Sequence, residues 1–461
     1  MIRGLGELAR GRRGTPLEPV DRAHWRARQK KLSAREWRWA QACGFDGSPG
    51  QICLMADARG GLSRALAGVD LSSPPLALGA LPVLLPRGDY ILDDDPLADR
   101  LSPQDAALGW AMGAYRFTRY ATTPAEPPRL LLPRAVLNEV APLLDAITQV
   151  RDLVNTPSED LGPAQLCDAV RAAAREHRAD FHVFEGASLK REFPAVHAVG
   201  RASTHAPRVA RLRWGKPSAP LLALVGKGVT FDSGGLDIKP ADGMRWMKKD
   251  MGGAAHALAL ARLVMAADLP VRLLLLIPTV DNAISGDALK PGEVIRTRAG
   301  VTVEVDNTDA EGRLILCDAL AACAEEKPDL LIDFATLTGA ARIALGPDLP
   351  ALFANDDTCA DALLAASRRQ FDPLWRMPLW HPYRTMLASH VADLVNTGAS
   401  RHAGSITAAL YLERFVPTDV PWLHLDLYAW NDSDRPGRPR GGEAQALRAC
   451  IAFLRERYSG S

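Results

Sequence analysis

The sequence predicts an α/β protein: a smaller N-terminal α/β domain is joined by a helix to a larger domain with a mainly parallel, helix-flanked sheet. Three observations lead there. Short apolar runs at Leu221, Leu273 and Leu330 alternate with helical patterns over Ala254 to Ala267 and Arg313 to Glu326. Strands apolar on both faces and separated by helices belong to parallel sheets. A chain of 461 residues can hold two or three domains with ample core. A proline cluster at Pro124, Pro127 and Pro128 reads as a linker, and a helical pattern from Ala135 to Val150 follows it. The expected division is therefore an N-terminal domain over residues 1–130, a connecting helix over 131–150 and the larger domain over 151–461.

Taken in order, the first 40 or so residues are basic and contain Trp25, Trp37 and Trp39. They fit an amphipathic helix that packs its tryptophans and turns its arginines to water; an arm for acidic partners is the competing reading. From Gln51 to about Leu132, apolar runs alternate with Gly, Pro and Asp, as in a small α/β domain, and Asp93, Asp94 and Asp95 before Pro96 suit a solvated turn. Asn155-Thr156-Pro157 ends the connecting helix, and Leu161 to His177 is a second amphipathic helix. Leu221 to Val225 is a strand buried on both faces, and the helix over Ala254 to Ala267 is entered through Gly252 and Gly253. Trp422 to Leu427 supplies one more strand.

Composition excludes several classes. The apolar fraction of 47% and charged fraction of 24% are ordinary for a soluble globular protein, and the net charge of +1 gives nucleic-acid binding no support, although the basic N-terminus leaves it open. The longest apolar run is far too short to span a bilayer, and no signal-like segment follows the early arginines. Seven dispersed cysteines without a CxxC fit reduced, structural thiols in a cytoplasm.

The chemistry gathers in two stretches. Gly226 to Gly253 contains Lys227, Asp232, Lys239 and Asp250, and Asn307 to Leu314 contains Asp309, Glu311 and Arg313. Three carboxylates can hold a divalent cation, and a fourth lets two cations share ligands. Glycines bracket the charged residues and permit close backbone approach. Each stretch lies where a strand gives way to a helix, the usual place for ligands in α/β sheets. For an isolated Asp309 and Glu311, an acidic first helical turn is an equally good account. It weakens because Arg313 follows and because Asp232 and Asp250 lie on equivalent loops. Gly226-Lys227-Gly228 is not a phosphate loop, since Leu221 and Gly228 stand where Gly and Ser or Thr are needed. Neither HExxH nor GxSxG occurs, and no histidine stands out as a ligand. Residue types alone thus point to a two-metal hydrolase, with peptide and phosphate ester substrates both open.

The segment Asn307-Thr308-Asp309-Ala310-Glu311-Gly312-Arg313-Leu314 resembles the signature of the leucyl aminopeptidase family of cytosolic metallo-exopeptidases. Gly226-Lys227-Gly228-Val229-Thr230-Phe231-Asp232-Ser233-Gly234-Gly235 and Met247-Lys248-Lys249-Asp250-Met251-Gly252-Gly253-Ala254 are similar to its metal segments. The stretches 151–157, 333–340 and 404–409 also look like family segments, so the resemblance covers roughly residues 148–430.

The resemblance implies roles residue by residue. Lys227, Asp232, Asp250 and Glu311 would hold the tighter metal, and Asp232, Asp309 and Glu311 the more exchangeable one, as zinc or manganese. Lys239 would polarise the scissile carbonyl, and Arg313 would hold a bicarbonate that acts as general base. Met247, Thr336, Leu337 and Gly339 would line the pocket for the substrate's first side chain. The family forms a hexamer and acts on peptides. This chain departs after its last strand, where Tyr428 replaces a small residue and Asn431 an apolar one, so a shallower or more polar pocket is expected. A DNA-binding or regulatory protein on the same scaffold is the alternative. The intact metal and catalytic positions favour the enzyme.

Overall fold

The computed structural model describes residues 2–9, 13–28, 32–92, 100–121, 126–398 and 400–459. Compactness divides the chain into two units, Met1–Thr148 with Asn431–Gly441, and Gln149–Trp430 with Gly442–Ser461. The return of residues 431–441 to the first unit was not part of the sequence-based division. Among the described residues, no helix is long and apolar enough to cross a membrane.

The first unit carries strands β1 (Leu5–Glu7), β2 (Thr15–Val20), β3 (Ile52–Ala56), β4 (Leu62–Gly68), β5 (Asp89–Leu92) and β6 (Arg129–Leu132), with helices α1 (Arg22–Arg28), α2 (Ala34–Ala42), α3 (Leu81–Leu84) and α4 (Pro103–Ala114). The sheet order is β1-β6-β5-β2-β4-β3, and every pairing is parallel except β3 with β4. The single N-terminal helix expected from the sequence is instead two strands and two helices. Pro16 and Pro19 favour extended backbone, and Ser33 starts α2 afresh through a capping box with Glu36. Trp25 is buried against Phe45, 4.8 Å between ring centroids, and Trp37 packs beside it. Trp39 is 52% exposed and donates its indole N–H to the Leu54 carbonyl. Pro127 and Pro128 are not a linker, because they lead directly into β6, which pairs with β1 and β5. Pro124 and the Asp93 to Asp95 turn lie outside the described residues.

Helix α5 (Arg134–Asn155) follows. The second unit continues with α6 (Pro163–Glu176), β7 (Asp180–Phe184), α7 (Gly186–Glu192), α8 (Pro194–Gly200), β8 (Arg208–Trp214), β9 (Leu221–Gly226), β10 (Gly228–Asp232), α9 (Ala241–Met244), α10 (Gly252–Ala266) and β11 (Arg272–Asn282). Beyond these come β12 (Val294–Arg296), β13 (Thr302–Glu304), α11 (Glu311–Ala324), β14 (Leu330–Ala335), α12 (Gly339–Leu345), β15 (Ala351–Ala354), α13 (Asp357–Arg369), β16 (Trp375–Arg376), β17 (Leu394–Val395), α14 (Gly404–Glu413), β18 (Trp422–Asp426) and α15 (Leu447–Tyr458).

The main sheet runs β16-β15-β18-β14-β9-β11-β8-β7, with β10 added alongside β11. Its centre is parallel (β18, β14, β9, β11), while β8 and β15 join antiparallel towards the edges. The central strands explain the unbroken apolar runs: β9 and β14 are buried at every residue and pack against α10 and α11. Two polar side chains interrupt this core and pair within it. Asp333 on β14 accepts from the Trp422 indole at 2.7 Å and lies 2.6 Å from His424 Nδ1, both on β18. The pair ties the register of β14 to β18, where Asp333 opposes His424.

Parallel order sends the carboxyl ends of β9, β14 and β18 to one edge of the sheet, and α10 meets them there. Lys227 N donates to the Phe334 carbonyl, and the Lys227 carbonyl accepts from Ala254 N, so the turn after β9 is tied to both β14 and α10. A Cβ on Gly253 would lie 2.1 Å from the Phe334 carbonyl oxygen, and one on Gly226 would lie 2.6 Å from the Ala254 Cα. The glycine pair entering α10 is therefore a packing requirement. Gly253→Ala should destabilise the protein by about 1–3 kcal/mol, the usual cost of overpacking. Denaturant midpoints would read this directly, and an unchanged midpoint would show that α10 can withdraw from β14 freely.

Candidate metal centre

The sheet edge presents its charged residues from successive loops. Lys227 sits in the turn between β9 and β10, and Asp232 ends β10. Asp250 lies in a 3-10 turn, Met247–Met251, just before α10. Asp309 lies in a second one, Thr308–Ala310, capped by the Asn307 side chain, and Glu311 is the first residue of α11. Both turns bring acids to helix N-termini, where the backbone dipole favours negative charge.

The side chains converge. Asp232, Asp309 and Glu311 can each offer a carboxylate oxygen within 4.8 Å of the others. Lys227 Nζ lies 2.7 Å from Asp250 Oδ2 and 3.0 Å from Glu311 Oε1, and donates to the Thr336 carbonyl. Lys239 Nζ lies 2.8 Å from Asp232 Oδ2 and 2.5 Å from Asp309 Oδ1. Lys227, Asp232, Asp250 and Glu311 are buried, and Lys239 and Asp309 are partly open. Asp232 Oδ1 is held by the Gly234 N–H and by Asn282 Nδ2, and Asp250 Oδ1 accepts from the Thr336 hydroxyl.

Four carboxylates thus face two ammonium groups, and the site is short of positive charge. Burial, then the Asp232 charge, raises Glu311 to about 8 and Asp309 to about 6. Burial alone would lower Lys227 and Lys239, but the carboxylates outweigh it and raise both, so both keep their protons here. A neutral Lys227, as a metal ligand requires, needs cations beside it. Asp250 Oδ2, Asp309 Oδ1 and both Glu311 oxygens are buried and receive no well-directed hydrogen bond, although the two lysines stand close. Oxygen-rich, buried and under-bonded, this donor set fits divalent metal ions.

A cleft of about 330 Å³ opens onto these groups. Lys227, Asp232, Lys239, Asp250 and Asp309 line it, together with Met247, Thr336, Leu337, Gly339 and Tyr428, the residues expected to receive substrate. Glu311 does not line it, being 1% exposed beneath. Arg313 does not line it either: it is half-buried and donates Nη1 to the Asn396 carbonyl at 2.5 Å. Asn431 is a correction. Its amide donates to the Pro439 carbonyl and its oxygen accepts from Arg435, so it is no part of the cleft wall. The residues sequence reasoning missed are supports. Asn282 and Thr308 fix the Asp232 and Gly234 turn, Asn396 holds the Asp306–Asn307 backbone, and Asp426 accepts from the Leu337 and Thr338 N–H groups. None carried a signal beyond being polar near a strand end.

Lys249 and Arg342 also lie on the cleft. Lys249 is 6% exposed, and burial lowers its ammonium to about 8.

Comparison with known proteins agrees with this arrangement. The profile described as "Cytosol aminopeptidase family, catalytic domain" matches residues 148–451, and that described as "M17 aminopeptidase, N-terminal domain" matches residues 15–133. The crystal structure of cytosol aminopeptidase from Coxiella burnetii is 48% identical, covers 98% of both chains and superposes with a TM-score of 0.94. The bottromycin maturation enzyme BotP in complex with Mn is 36% identical over 92% of this chain and 96% of its own, with a TM-score of 0.83. A probable cytosol aminopeptidase from a Geobacter strain is 38% identical over 78% of this chain and 77% of its own.

The raised acids make a pH prediction for metal-free protein. Glu311 and Asp309 are raised above their usual values, so the stability they confer is present at low pH and is lost as pH rises through about 6 and then about 8. With metals chelated, the melting temperature of wild type should fall from pH 5 to 9 more steeply than that of Glu311→Gln. Parallel curves for the two proteins would contradict the charge crowding described above.

Proposed function

The chain belongs to the cytosol aminopeptidase family and is an aminopeptidase of the leucyl aminopeptidase type, and we propose that it removes N-terminal residues from peptides with a two-metal centre at the β9, β10 and α11 edge. The observation that carries this reading is the convergence of Asp232, Asp309 and Glu311, with buried oxygens that receive no well-directed hydrogen bond. Lys227, Asp232, Asp250 and Glu311 would hold one ion, and Asp232, Asp309 and Glu311 the other. Zinc or manganese ions held by these residues would supply Lewis acidity, to activate a water and to polarise a carbonyl.

The chain's own residues supply the rest. Asp232 and Asp250 are oriented by Asn282 and Thr336, which fixes the direction of their free oxygens. Lys239 keeps its proton and lines the cleft, suited to stabilise charge developing on the scissile carbonyl oxygen. Arg313 spends one N–H on Asn396, and its planar guanidinium suits a bicarbonate, which would supply a general base. Met247, Thr336, Leu337, Gly339 and Tyr428 would receive the first side chain. The relatives' names and the absence of any disulfide among the described cysteines are in keeping with a cytoplasmic setting.

Metal content and rate together test the division of roles. Wild type saturated with manganese or zinc should hold two ions per chain, and Asp250→Ala should lose one. Lys239→Ala and Arg313→Ala should keep both ions while kcat falls by roughly 10²-fold or more. Rate loss matched by metal loss would reverse the assignment.

Assembly is the second part of the proposal. Trp375, Trp380 and Val391 on the second unit are large apolar side chains left exposed, of the kind an oligomer interface would cover. Taken with the family resemblance, this supports a closed hexamer. Light scattering should give six times the chain mass at micromolar concentration. A fully active monomer would refute it.

A further inference from the structure

The wall around Tyr428 carries more positive charge than the reaction uses. Lys249 Nζ lies 4.9 Å from the centroid of the Tyr428 ring, and Arg342 Cζ lies 4.8 Å from the same centroid. Both side chains line the cleft. Among the described residues neither cationic group makes a hydrogen bond or an ion pair, so the ring is the contact that holds them. Arg342 is exposed and bears this easily. Lys249 is almost wholly buried, and a buried cation without an anion is costly to keep. An aromatic face recovers only part of that cost.

None of the carboxylates that line the cleft forms an ion pair with either group. Asp232, Asp250 and Asp309 are committed to the metal centre and its lysines. Asp426 is committed to the Leu337 and Thr338 backbone and the Thr338 hydroxyl. Asp242 lies on the cleft rim and is exposed.

The wall is also fixed in place. Gln445 is buried, and its Oε1 accepts from the Tyr428 and Ala429 N–H groups, while its Nε2 donates to the Pro347 carbonyl on another part of the cleft lining. The Gln445 N–H is in turn accepted by His256 Nε2 at 2.9 Å. Ala429 takes a positive φ of 55°, so the chain turns sharply just after Tyr428. Rigid support of this kind suits recognition of one kind of side chain.

We propose that Lys249 and Arg342, braced on the Tyr428 ring, form a subsite for a carboxylate, so that the enzyme favours peptides whose first residue is glutamate or aspartate. The inference rests on the aminopeptidase reading above and adds the class of first residue to it. A glutamate or aspartate side chain would supply the missing anion while its α-amine and scissile carbonyl stay at the metal centre. A neutral residue of the same shape would leave Lys249 buried and unpaired, and mismatched polar groups in a pocket discriminate strongly.

The metal-loaded, full-length enzyme tests this with glutamyl, glutaminyl and leucyl p-nitroanilides, which share a leaving group. Glutamate and glutamine differ in charge at nearly constant shape. Wild type should show kcat/KM for glutamyl above glutaminyl by roughly tenfold or more. The ratio should collapse towards one in Lys249→Met and fall in Arg342→Met, and calorimetry should show free L-glutamate binding more tightly than L-glutamine in wild type only. Arg342→Met, on an exposed residue, carries the test if Lys249→Met does not fold. A wild-type ratio at or below one, or a ratio unmoved in the folded variants, would overturn the carboxylate subsite while leucyl hydrolysis left the aminopeptidase reading standing. Failure of all three substrates would bring down that reading and this one with it.

Discussion

Four carboxylates cannot share one buried point unless positive charge is brought to them, and the second unit is arranged around that constraint. Lys227 meets Asp250 and Glu311, while Lys239 meets Asp232 and Asp309. The match is incomplete. Glu311 and Asp309 are pushed towards their protonated forms, and several of their oxygens stay under-bonded. In a stable protein such crowding is a cost with no structural return, because well-packed apolar residues in the same places would be at least as stable. Cation binding is what gives the arrangement its use.

The constraint explains features that otherwise look unrelated. The parallel centre of the sheet delivers the ends of β9, β14 and β18 to one edge. Gly226 and Gly253 let α10 close onto that edge, and Gly312 leaves room for the Lys227 side chain, whose Cε would lie 2.6 Å from an added Cβ. The buried Asp333, Trp422 and His424 group then fixes β18 against β14, which sets where Asp426 and Tyr428 stand. Each is a packing or register condition, and each is met one layer behind the charged residues of the cleft.

The cleft shows the same division between a charged floor and a supported wall. The floor belongs to the metal centre. The wall is made by Tyr428 with Lys249 and Arg342, and Gln445 and His256 hold it from behind. Three residues of that wall come from remote parts of the chain: Lys249 beside α10, Arg342 on α12 and Tyr428 after β18. Their charge becomes a property of the pocket only when the fold brings them together.

Much of this protein was legible in its residues. Apolar runs gave the central strands, because strands buried on both faces admit no polar alternation. Glycine pairs and acids at strand ends gave the loops of the centre, and the ordered motifs from Lys227 to Arg313 gave the metal and catalytic candidates. Sequence was weaker wherever the deciding contact was distant. It read one N-terminal helix where Pro16, Pro19 and the Ser33 cap give strands and two helices, and it read a linker where Pro127 and Pro128 open β6. It put Asn431 in the pocket, although that side chain is spent on Arg435 and Pro439. It passed over Lys249, an ordinary lysine in the sequence, whose burial beside Tyr428 exists only in the folded chain. Local pattern determined the strands, their loops and the ligand types. Tertiary structure decided which charges are matched and which are left facing the cleft, because charge balance depends on distances between residues far apart in the chain.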